Sequence, residues 1–77
     1  MALFEKLREV RAARAEEEGV PPYAMGNNRL LRAIATSLPS SRSAMLDLPG
    51  CGERMFDKVG HLYLEVVEAF ADDPEHS

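Results

Sequence analysis

Apolar residues recur at helical intervals along nearly the whole chain. Leu3, Phe4, Leu7 and Val10 open the pattern, and neither Gly nor Pro interrupts residues 2–18, so the spacing predicts one helix ended by Gly19. Arg14 falls on the apolar side of that helix, with its stem expected along the core edge and its charge in water. Glu16, Glu17 and Glu18 crowd the last turn, where the helix dipole disfavours negative charge and fraying is expected. Pro21 and Pro22 cannot both sit inside a helix, so Val20 to Gly26 reads as a connector. Asn27 or Asn28 caps a second helix that turns Leu30, Leu31, Ile34, Ala35 and Leu38 inward and sets Arg29 and Arg32 on one outer face. Pro39 stops this helix, and Ser40 or Ser41 caps a short third one that buries Met45, Leu46 and Leu48.

The stretch MLDLPGCGERMFDKVG, Met45 to Gly60, reads as a helix, a tight hairpin and a second helix. Pro49 cannot continue a helix, and Gly50 and Gly52 allow the backbone angles of a short turn. Beyond it Met55, Phe56 and Val59 face the core, while Arg54 and Lys58 form an i, i+4 basic pair interleaved with Glu53 and Asp57. Gly60 is expected to mark a bend before a last helix that packs Tyr63, Leu64, Val67 and Phe70 inward. Glu65, Glu68 and Asp72 recur on its opposite side as an acidic stripe. The periodicities and composition predict helices packed on helices, an all-α monomer with one core, followed by a frayed acidic tail over 71–77. Its core is expected to include Phe4, Leu7, Leu31, Ile34, Leu46, Phe56, Leu64 and Val67.

Composition narrows the picture. A chain of 77 residues is one domain near the lower limit for folding without a staple. The single cysteine cannot form an internal disulfide, and Cys51, His61 and His76 have no zinc-site spacing, so neither metal nor cofactor is expected. No apolar run approaches the length of a membrane span and the N-terminus lacks an apolar signal stretch, so the chain is expected to be soluble and cytoplasmic. The net charge of −4 is unevenly spread. Residues 1–62 hold nine bases and eight acids, net +1, whereas residues 63–77 hold five acids and no base, net −5. A dedicated nucleic-acid module is usually basic overall, so strong nonspecific DNA binding is not expected.

Several residues carry candidate chemistry, each beside a plainer role. The hairpin Gly50, Cys51 and Gly52 is either a helix connector or a weak phosphate contact through outward amides, where the charge of Glu53 would compete with phosphate. Tyr23 either stacks on a nucleic-acid base or packs its ring on the prolines and the core. The acidic stripe of Glu65, Glu68 and Asp72 is either a solvated face or a contact for a basic partner. The serines around Arg42 are helix caps. No Walker-type GxxxxGK, defined carboxylate pair or metal spacing supports an enzyme.

The order of these pieces resembles a known family. An LR pair (Leu7, Arg8), GVPPY (Gly19 to Tyr23), a capped second helix, LPSS (Leu38 to Ser41), LDLPGCG (Leu46 to Gly52) and VG (Val59, Gly60) resemble the HRDC domain, named for helicase and RNase D C-terminal. The resemblance covers roughly residues 3–70, and the VPPY loop looks more like RecQ-type DNA helicases than like RNase D. The hairpin also resembles the helix-hairpin-helix DNA-binding motif. Family members tend to carry an apolar residue at the position of Arg14 and an aromatic one at that of Gly26, so looser packing is expected after Tyr23. The resemblance implies a compact all-α bundle of about five short helices over residues 1–70, acting as an auxiliary module of a separate helicase motor that tunes DNA binding and unwinding, in the cytoplasm and on the nucleoid if the source is bacterial. DNA contact, single-stranded or branched and weak, is then expected at Tyr23, Asn27, Asn28, Arg29, Arg54 and Lys58, and contact with other domains of the same helicase at Glu65, Glu68 and Asp72. The alternatives are a protein-interaction module without DNA contact, or the corresponding domain of an RNase D-like exoribonuclease.

Overall fold

The computed structural model describes residues 2–72; of the tail expected over 71–77, residues 71 and 72 are helical, and the side chain of Asp72 and residues 73–77 lie outside the described residues. Five α-helices follow one another: α1 (Ala2–Glu18), α2 (Asn28–Ser37), α3 (Arg42–Leu46), α4 (Glu53–Met55) and α5 (His61–Asp72). A 3-10 helix, Pro22–Met25, lies between α1 and α2, and a π-helical segment, Phe56–Gly60, joins α4 to α5. Among the described residues there is no strand. The all-α expectation therefore holds.

Local chemistry accounts for each boundary. At the end of α1, Gly19 takes φ +67, its amide donates to Glu16 O and the Val20 amide to Ala15 O. These two bonds are a Schellman closure, which requires a left-handed residue that Gly adopts without steric cost. The three crowded glutamates are partly offset, because Arg14 pairs with Glu17 and Glu18 at 3.0 Å each. Of the two candidate caps, Asn27 is the one used on α2: its Oδ1 accepts from the Leu30 amide at 2.9 Å. Ser41 caps α3 in the same way through the Ala44 amide.

The core joins Leu3, Leu7 and Ala15 of α1 to Met25, to Leu30, Leu31, Ile34 and Ala35 of α2, to Met45 and Cys51, and to Val59, Tyr63 and Val67. Four expected core residues, Phe4, Leu46, Phe56 and Leu64, are only half-buried. Two of them carry a cation on the ring face, Arg32 over Phe4 at 5.8 Å and Arg42 over Phe56 at 5.4 Å, an arrangement that needs an edge position open to water. Leu38 is not inward but 47% exposed, because it closes α2 in the left-handed conformation at φ 51.

Two glycine expectations are corrected. Gly60 does not interrupt the helix; it is buried within the π turn, where an added Cβ would lie 3.2 Å from Phe56 Cδ2. The imidazole of the next residue supports that turn, with His61 Nδ1 3.0 Å from Phe56 O. Gly26 does not loosen the loop after Tyr23. It is buried at φ +110, and a Cβ there would come within 3.1 Å of Leu30 Cδ2, so the loop is drawn tightly onto α2.

Candidate nucleic-acid interface

The 3-10 turn is tethered by side chains from both α1 and α5. The fully buried Tyr63 of α5 donates its hydroxyl hydrogen bond to Met25 O. From α1, Arg11 Nη1 donates to Gly26 O at 3.2 Å and to Asn28 Oδ1 at 2.9 Å. Burial pushes the Tyr63 phenol up to about 12, against a smaller lowering pull from Arg11. Between these anchors the backbone turns so that Tyr23 is 73% exposed. Its ring does not pack into the core, as the plainer of its two roles had it, and most of it faces solvent. Prolines on its N-terminal side fix φ there, so the exposed ring stands on a stiff support.

The structure separates the remaining candidates. Asn27 and Asn28 lie beside the turn, but both carboxamide oxygens are engaged, Asn27 in the cap and Asn28 with Arg11. Arg29 is exposed on the first turn of α2. Arg54 and Lys58 belong to another part of the molecule, the α4 and π segment, which packs mainly on α3 and α5. The main-chain oxygen of Lys58 accepts from Arg14 Nε at 3.2 Å, and its side chain is exposed.

Of the hairpin residues, Cys51 must be corrected. Its side chain is buried and its amide donates to Leu48 O at 3.1 Å, so this amide is already engaged and the thiol is a core group whose pKa burial raises. Gly50 adopts φ +86 and Gly52 precedes α4, so both glycines serve the turn. Glu53 is exposed at the start of α4, 3.9 Å from Arg42. Among the described residues, no group of three His, Cys, Asp or Glu side chains could hold a metal ion, and no helix is long and apolar enough to cross a membrane.

Two basic residues near the turn escaped the sequence reading as site candidates. Arg8 and Arg11 of α1, with Ala12, line a shallow cleft completed by Pro22, immediately beside Tyr23. Their i, i+3 spacing placed them on one helix face, but only the fold brings that face to the proline turn. Glu5 and Glu9 line the same cleft and weaken its positive potential. On α5, Glu65 and Glu68 are exposed, as the stripe requires, while the Asp72 side chain lies outside the described residues.

Comparisons with known proteins fit this arrangement. The family model for the HRDC domain matches residues 1–67. The ATP-dependent DNA helicase RecQ of Bacillus subtilis (strain 168) is 36% identical over 69 residues, covering 90% of this chain and 12% of that protein. RecQ of Haemophilus influenzae is 30% identical over 66 residues, 86% of this chain and 11% of that protein. The ATP-dependent DNA helicase UvrD2 of Mycobacterium bovis is 34% identical over 65 residues, 84% of this chain and 9% of that protein. The chain thus spans about a tenth of the length of the curated relatives it matches. With a family match over most of its residues, an all-α fold and relatives that share nearly its full length, this chain belongs to the HRDC domain family.

Proposed function

We propose that this domain is an auxiliary, non-catalytic module of a RecQ-like ATP-dependent DNA helicase, one that modulates DNA binding and unwinding while contacting DNA only weakly itself. The observation that carries this reading is the exposed Tyr23 ring on a turn held by Tyr63, Arg11 and the prolines. An aromatic side chain so presented can stack on an unpaired base, and a rigid support means that little conformational freedom is lost on contact. Arg29, Arg8 and the free part of the Arg11 guanidinium supply cations for the adjoining phosphates, and Asn27 and Asn28 hold the turn in register. Arg54 and Lys58 form a second, separate basic pair that a branched DNA could reach with another arm.

Titration of a labelled single-stranded oligonucleotide and a branched DNA against the isolated domain tests this. Binding is expected to be weaker than about 10 μM at physiological salt, since few cations converge. Tyr23→Ala should reduce single-strand affinity by about 1 to 3 kcal/mol. Unchanged affinity in that variant removes Tyr23 from the site.

A second reading, contact with another domain of the same helicase, is favoured by the exposed Glu65 and Glu68 on a segment devoid of bases. Such a face repels DNA phosphates and suits a positive protein surface. Glu68→Lys in the full-length protein should alter DNA affinity or unwinding by more than an exposed substitution alters fold stability, about 0.5 kcal/mol. Wild-type behaviour in melting, binding and unwinding assigns the stripe to solvent alone.

A further inference from the structure

Two recesses, of about 500 and 400 Å³, lie end to end between α1 and α5 and share Val66 and Ala69. One joins Glu5 and Glu9 to Phe70, the other joins Val10 and Ala13 to Leu62 and Glu65, so the helices run antiparallel along one groove. The lining reaches from Ala2 to Glu17, a distance of about 22 Å at the rise of an α-helix. Val10, Leu62 and Val66 are half-buried and form its floor, and the small exposed side chains of Ala13 and Ala69 leave it open. Glu5, Glu9 and Glu65 stand exposed along its edges. The cations in the lining are Lys6 and Arg14, and Arg14 is committed to Glu17 and Glu18, so the groove is acidic.

We propose that the α1–α5 groove docks an amphipathic helix of a protein partner, aliphatic on one face and flanked by Lys or Arg. The partner's aliphatic side chains pack on Val10, Leu62 and Val66 while its cations meet Glu5, Glu9 and Glu65, the helix-in-groove mode with complementary charge. A groove about 22 Å long accepts three to four turns. Nucleic acid suits it poorly, because the carboxylates repel phosphate. This site goes beyond the DNA-modulating reading and does not depend on it: it shares Glu5 and Glu9 with the cleft beside Pro22, but its apolar floor and its α5 side are separate from Tyr23.

The probe is a labelled peptide of about 16 residues made of Leu and Lys, with Leu at i, i+3, i+4 and i+7 spacing. A Leu and Glu counterpart and a single-stranded oligonucleotide serve as controls, with binding read by anisotropy and amide shift mapping. The Leu/Lys peptide is expected to shift the amides of Ala13, Leu62, Val66 and Ala69. Ala69→Arg, which fills the groove, and Glu65→Lys, which reverses its edge, should each weaken binding at least about fivefold, and added salt should weaken it too. Asp47→Asn, exposed at the end of α3 and outside the lining, should leave affinity within about twofold. Melting curves confirm that these exposed positions keep the fold. Shifts that map elsewhere, equal binding of the Leu/Glu peptide, or groove shifts caused by the oligonucleotide overturn the proposal. So do shifts of the same amides on concentrating the domain alone, which assign the groove to a second copy. Loss of Tyr23-dependent DNA binding leaves it standing.

Discussion

Single side chains decide how the 3-10 turn is held. Tyr63 is fully buried, with its phenol neutral and bonded to Met25 O. Its pKa is raised to about 12 from an ordinary 10, so between those values the unfolded chain loses the proton while the folded one keeps it. Stability is therefore fully present below about pH 10 and falls as pH rises to about 12, by roughly 2 to 3 kcal/mol. Denaturant melts across that range should show the decline in the parent and a smaller one in Tyr63→Phe. At neutral pH the same variant should lose about 1 to 3 kcal/mol, because it leaves the Met25 carbonyl without its donor. Asn27→Ala removes the α2 cap and should cost about 1 kcal/mol. An Asn28→Ala change instead removes one of the two acceptors of Arg11 while leaving the cap intact, so its thermal shift should be the smaller of the two.

Among the elements, the run from α4 through the π turn to α5 departs most from a regular helix. A π turn admits one extra residue per turn, and such turns persist where surrounding packing supports them. Here the support is Gly60, whose missing Cβ leaves room for Phe56, together with the His61 imidazole at Phe56 O. Gly60→Ala would gain helix propensity yet press a methyl group to 3.2 Å from the Phe56 ring. A net loss of about 1 to 3 kcal/mol is expected, read from the denaturation midpoint. A stabilised variant would mean that Phe56, only half-buried, moves aside at no cost. By contrast, Leu31→Ala and Ile34→Ala in α2 leave cavities in the closed core and should cost about 2 to 5 kcal/mol, enough to threaten so small a domain.

For the whole molecule, the fold sets Arg8 and Arg11 among Glu5 and Glu9 beside the proline turn, while Glu65 and Glu68 are exposed on α5, whose His61–Asp72 span holds no Lys or Arg. Arg11, Arg14 and Arg42 are engaged in hydrogen bonds or ion pairs, and Arg54 and Lys58 lie away from Tyr23. Two or three phosphate contacts are the most the turn can make at once, so raising salt from about 50 to 200 mM should weaken single-strand binding by less than about twentyfold. A steeper slope would show that the two basic surfaces act together on one strand.

The helices, their candidate caps and their stops were legible in the sequence because they depend on neighbours within four or five residues: Asn27 or Asn28 and Ser40 or Ser41 at N-termini, Gly19 and Pro39 at ends, apolar spacing within each span. The family was legible for the same reason, since VPPY and LPGCG are local signatures. Which half of each apolar face reaches the centre was not, because burial depends on what another helix brings opposite. Phe4 and Phe56 therefore became edge rings beneath arginines, while Met25, Ala15 and Cys51 went inward. Gly26 and Gly60 had conformational meaning in the sequence, but only packing against Leu30 and Phe56 gave them a steric one. The sequence by itself determined the elements, their order and an aromatic residue on a stiff proline turn. Tertiary structure alone decided that Tyr63 and Arg11 anchor that turn, that Arg8 stands beside it, and that α1 and α5 leave an acidic groove, because each joins residues too far apart in sequence for any short-range pattern to link.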